Sequence, residues 1–201
     1  MREILNLTVM KRFLLLLVAS AAVSLTVSAQ TKIQDSFFGV RLGEGYKEVC
    51  RTDIVKSQCR RSSGAWRDKT KPRHEVEDVW FGGFKWNACA FYFDEEAHRL
   101  YQLRFYDAYK NEDVSRTTYE EVLEMLDKKY KDRPGIVRES RNDWDDSKYE
   151  SVSYTDENGG VCKLVREYTT SISGHYFNYV FLYYYNKNVK MGVEHSYMEE
   201  L

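Results

Sequence analysis

The chain has 201 residues, with 31 acidic and 30 basic side chains and a net charge of −1 at neutral pH. So even a balance argues against nucleic acid as a general partner.

Residues 1–29 read as a secretory signal peptide. Lys11 and Arg12 form a positive start, Phe13 to Val27 an apolar stretch, and Val27-Ser28-Ala29 a small-residue cleavage site before Gln30. Ser20 and Ser24 interrupt the apolar run, so no transmembrane segment is expected after cleavage. Removal leaves about 170 residues, enough for a single domain over 30–201 with a real core. Export exposes Cys50, Cys59, Cys89 and Cys162 to oxidising conditions, where an even count is compatible with two bridges. Cys50 with Cys59 is the expected pair if the first helix ends near Ser57, because an unbroken helix would separate them by about 13 Å. No cysteine or histidine spacing suits zinc, so no metal and no cofactor is expected.

Phe37 to Gly43 is extended and apolar with two glycines, and Tyr46, Val49, Cys50 and Ile54 follow at helical spacing through Ser57. Residues 58–74 form a loop rich in Arg60, Arg61, Arg67, Lys69, Lys71 and Arg73, with Trp66 in its middle. Glu75 to Phe81, Phe84 to Phe93 and Leu100 to Tyr109 are aromatic and β-branched, and turn signals separate them as in an antiparallel meander. In the third of these, Tyr101, Leu103 and Phe105 share one face, while Gln102, Arg104 and Tyr106 share the other.

Thr117 to Tyr130 carries the strongest helical period, with Tyr119, Val122, Leu123, Leu126 and Tyr130 on one face. Thr117 with Glu120, or Thr118 with Glu121, suits a capping box, and Pro134-Gly135 stops the helix. A polar loop then leads to strands at Tyr149 to Thr155, Val161 to Thr169 and Tyr176 to Asn186. The first two of these are joined by an Asn158-Gly159 hairpin turn.

Sliding the chain on itself so that Tyr46 falls on Tyr119 also brings Val49 onto Val122 and Cys89 onto Cys162. The expected fold is α+β: two tandem units of a helix plus a three-stranded antiparallel meander, over 37–110 and 111–187, with a tail at 188–201. Both helices would pack on one face of a sheet of about six strands. Cys89 and Cys162 would then lie about three strands, or 14 Å, apart and could not bond.

The FFGVRLGEGYKEV segment followed by a meander resembles small exported envelope proteins of the outer-membrane assembly lipoprotein type, although no lipid-attachment cysteine follows the cleavage site. The tandem helix-plus-meander order is similar to the β-lactamase-inhibitor protein fold. Both resemblances imply binding to other proteins without catalysis, and the expected location is the periplasm or exterior of a Gram-negative bacterium. In the inhibitor-like fold, the open sheet face meets the partner.

In the last strand Phe177, Tyr179, Phe181, Tyr183 and Tyr185 share a face, with Val180 and Leu182 opposite. If Val180 and Leu182 meet the helices, the rings line an open surface suited to a protein or glycan, joined by Trp86 and Tyr92. Otherwise the rings are themselves the core. The basic loop, with Arg60, Arg61 and Trp66, could dock an anionic group, or could simply be solvated. Asn142 to Ser147 offers oxygen ligands without the glycine and distal glutamate of a calcium loop. No nucleophile elbow, zinc-protease, P-loop or dinucleotide motif is present. A small secreted hydrolase whose site assembles only in three dimensions is the alternative to a binding module.

Overall fold

The computed structural model describes residues 32–56, 72–94, 97–170 and 174–189. The expected signal peptide, Arg60, Arg61 and Trp66 of the expected basic loop, and Cys59 of the expected disulfide lie outside the described residues.

Ser36–Phe37 (β1) and Val40–Arg41 (β2) pair through a turn in which Phe38 and Gly39 both take positive φ, at 53° and 80°. That is the mirror-image turn whose twist suits a two-residue hairpin, and it drives Phe37 and Val40 into the core. The expected first helix is interrupted. Tyr46–Val49 forms α1, and residues 53–56 are helical again after a break. At the break Thr52 Oγ1 donates to the Val49 carbonyl at 2.8 Å, the acceptor that a continuing helix would use.

The main sheet has seven strands where about six were expected. They are Arg73–Phe81 (β3), Phe84–Phe93 (β4), Leu100–Tyr109 (β5), Ile136–Asp143 (β6), Tyr149–Asp156 (β7), Gly160–Thr170 (β8) and Tyr176–Asn186 (β9). All neighbours are antiparallel, in the order β3-β4-β5-β9-β8-β7-β6. The added strand, β6, is an edge with almost every side chain exposed. It lacks the apolar alternation by which a half-buried strand is read, so its residues look like a polar loop.

The long helix, Glu112–Tyr130 (α2), starts before the expected Thr117. Asn111 is its cap, its Oδ1 accepting the Asp113 N–H at 2.8 Å, and Glu112 and Asp113 add acidic charge at the positive end of the helix dipole. Ser115, Tyr119, Val122, Leu126 and Tyr130 are buried against β5, β8 and β9, while Leu123 is only half-buried. The carboxylate of Asp127 accepts from Tyr154 Oη at 2.5 Å and from Arg138 Nε at 2.9 Å, tying the helix to β7 and β6. Burial opposes the charge on Asp127, but these two partners hold its pKa below the ordinary carboxylate value.

The helix-side core gathers Val49 of α1 and the buried face of α2 with Phe91, Leu103, Phe105, Tyr154, Leu164, Val180, Leu182 and Tyr184. A second, smaller cluster of Val161, Val165, Phe181, Tyr183 and Tyr185 lies on the other sheet face, and among the described residues no helix residue belongs to it.

Candidate binding face

Strand alternation decides which side chains share this second face. Val180 and Leu182 meet the helix side, so their odd-numbered neighbours on β9 point away from it. The rings are nevertheless not an open row. Phe181 and Tyr183 are each 6% exposed, because successive rings cover one another. Tyr179 stacks on Phe181 with centroids 5.3 Å apart and planes 7° apart, and Phe181 meets Tyr183 at 5.8 Å and Tyr106 at 6.3 Å. The accessible members are the half-buried Tyr179, Tyr106 and Tyr149. The two arrangements left open by the sequence are therefore both partly realised, with rings that face away from the helices and still form a thin core.

Of the residues expected on this face, Tyr92 lies there. Its ring is 5.3 Å from the Arg104 guanidinium and 5.8 Å from that of Arg73. Trp86 does not lie there, which corrects the expectation. It is 1% exposed within the helix-side core, and its Nε1 donates to the Phe81 carbonyl at 3.2 Å. The cause is a reversal of alternation where Asp78, at φ 54°, takes a left-handed conformation opposite this part of β4. On either side of it, Val76 and Val79 both enter the core although three residues apart, and so do Trp86 and Cys89.

Arg104 is the polar centre of the face. Its guanidinium carbon lies 5.2 Å from the centre of the Phe181 ring, 5.3 Å from Tyr92 and 5.7 Å from Tyr106. It stands directly across the sheet from Tyr183, which pairs in turn with Lys163. Glu167, 8% exposed, sits farther along β8 opposite Tyr179. Burial pushes its carboxyl up, against the attraction of Arg104 and Lys163. Among the described residues, Arg104 Nε and Glu167 Oε1 are buried without a hydrogen-bond partner. At the β3 side Tyr106 donates to Glu75 Oε1 at 3.0 Å, and burial together with Glu75 pushes the phenol up to about 12. Glu75 also pairs with Arg73. Arg104 and Glu167 are missing from a reading of single strands because their neighbours come from four strands. The one signal for Arg104 is its alternation with Gln102 and Tyr106.

Neither Cys89 nor Cys162 is placed to act as a nucleophile. Cys89 and Cys162 are free, fully buried thiols on β4 and β8, three strands apart as expected. Burial pushes both upward, Cys162 to about 12, the opposite of what a thiolate nucleophile requires. At the Asn142 to Ser147 segment, Asn142 Oδ1 accepts the Trp144 N–H at 3.1 Å and Asp143 pairs with Arg141. Among the described residues no group of three His, Cys, Asp or Glu side chains could hold a metal. No described helix is long and apolar enough to cross a membrane. No protein-family model, curated protein or solved structure matches the chain.

Proposed function

We propose that this chain is an exported, non-enzymatic binding module of the Gram-negative periplasm or exterior, and that it meets a protein or glycan through the sheet face opposite its helices. The observation that carries this reading is the ring cluster around Arg104. It has no described helix over it, it offers half-exposed tyrosines, and it holds a buried guanidinium nitrogen with an unused donor. Tyrosine and arginine are the residue types that dominate binding hot spots, because rigid rings lose little entropy and the guanidinium donates in a fixed fork. A partner that brings an acceptor to Arg104 would complete a hydrogen bond the isolated chain leaves unmade.

The same reading takes the chain as two tandem units of one helix and a three-stranded meander, with both helices on one sheet face, as in the β-lactamase-inhibitor type of fold. The mirrored orders β3-β4-β5 and β9-β8-β7, with Cys89 and Cys162 each on a middle strand, support it. The test is affinity capture from an envelope fraction with wild type and the Tyr106→Ala/Tyr179→Ala variant. The variant, with native circular dichroism, is expected to lose the captured component, and retention of every component would refute the sheet-face reading.

A further inference from the structure

We infer that two copies of this chain pair edge to edge through β6, antiparallel about a two-fold axis at Ser140. β6 is the last strand of the sheet and keeps an unbroken register with β7, from Ile136 opposite Asp156 to Asp143 opposite Tyr149. Among the described residues, no other element hydrogen-bonds to the backbone of residues 137–142 on the outer side. Sheet edges are ordinarily blunted by lysine, proline, a bulge or a covering segment. The opposite edge, β3, is blunted in this way: Asp78 is left-handed, and Glu75, Glu77 and Asp78 set like charges along it. β6 has no lysine, no proline and no left-handed residue, and its charges are of both signs rather than alike.

Its side chains are self-complementary in one register. A two-fold axis perpendicular to the sheet keeps the helices of both copies on one side, so residues of the same face must meet. Centred on Ser140, the pairing sets Glu139 of each copy opposite Arg141 of the other, with Arg138 opposite Asn142 and Val137 opposite Asp143. Opposite charges directly across antiparallel strands attract, with Cβ atoms about 5 Å apart. Centring on Arg138, Glu139 or Arg141 would instead place that charge against its own copy. Glu139 has no ion pair among the described residues, Arg141 pairs with Asp143 on its own strand and lies 5.4 Å from the centre of the Tyr149 ring, and Val137 is 61% exposed. The union would also cover Val137. The joined sheet would present both ring clusters on the same side, with the β9 strands seven strand spacings, or about 33 Å, apart.

Sedimentation of the purified full chain over a concentration series at low salt tests this pairing. The wild type is expected to show a reversible monomer–dimer equilibrium. Glu139→Arg and Arg141→Glu should each weaken it at least tenfold, while retaining native circular dichroism. The Glu139→Arg/Arg141→Glu double variant should restore the dimer, and an equimolar mixture of the two single variants should form a heterodimer. A wild type that stays monomeric throughout, a dimer indifferent to both substitutions, or a double variant that fails to recover would overturn the proposal.

Discussion

Replacing Asp156 by alanine should cost about 3 kcal/mol of stability. This carboxylate closes β7, is 5% exposed, and accepts three backbone N–H groups. Oδ2 takes Ile33 at 2.8 Å, and Oδ1 takes Gly160 at 2.8 Å and Asn158 at 2.9 Å. It thus holds the chain entering the core at Ile33 against the β7–β8 turn. Alanine would leave the Ile33 and Gly160 donors buried without acceptors, each costing about 1–3 kcal/mol, while water can reach the Asn158 donor. Relief of the buried charge offsets part of that sum. Asp156→Asn, whose amide nitrogen cannot accept, should cost roughly half as much.

Gly160→Ala should act through the same carboxylate, since a Cβ at Gly160 would stand 2.7 Å from Asp156 Oδ2 and push it aside. The two substitutions should therefore fail to add. Urea unfolding followed by circular dichroism, with an unchanged m-value, measures each corner of the cycle. A loss below about 1 kcal/mol for Asp156→Ala, or additivity within about 0.5 kcal/mol, would refute the shared-carboxylate account.

Further outcomes follow from the two faces of the sheet. Leu126→Ala, at a fully buried helix position, should cost about 2–5 kcal/mol, and Leu123→Ala on the half-buried flank clearly less, in the same urea assay. Equal losses would mean that the helix is rotated from the face described. Glu167 has a folded pKa raised by burial, so its contribution to stability is fully present below the unfolded carboxyl pKa and is lost as pH rises through the folded value. Glu167→Gln should accordingly gain in melting temperature over wild type at pH 7 but not at pH 4, and a gain confined to pH 4 would contradict the assignment. Cys89 and Cys162 should resist alkylation at pH 8 in the native protein and react once urea is added, as peptide mapping would show.

Much of the architecture is written in local pattern. The alternation of Tyr101 to Tyr106, the Gly82-Gly83 and Asn158-Gly159 turns, and the helical period of Tyr119 to Tyr130 each report a face or a bend that a few neighbouring residues decide. Gly82, Gly83 and Gly159 do take positive φ at those turns. What escaped a local reading depends on more distant choices. β6 has no buried face to impose a period, so it leaves no hydrophobic trace. Asn111 captures the helix start from Thr117 and Thr118 because it caps a longer helix that begins with two acids. Trp86 departs from its expected face because one left-handed aspartate on the neighbouring strand reverses the alternation. The candidate face itself was legible in part: the ring row on β9 can be read from one strand. The Arg104 and Glu167 centre cannot, because β4, β5, β8 and β9 meet there only after folding.

The central claim is that the sheet face, not the helix face, meets the partner. Site-specific photo-crosslinking in an envelope preparation tests it most directly, with a benzophenone side chain placed at Tyr179 and, for comparison, at the exposed Glu124 on α2. The account predicts a discrete adduct from position 179 that is absent from position 124 and is lost with Tyr106→Ala. Mass spectrometry and carbohydrate staining would distinguish protein from glycan. An adduct from position 124 with none from position 179 would contradict the account.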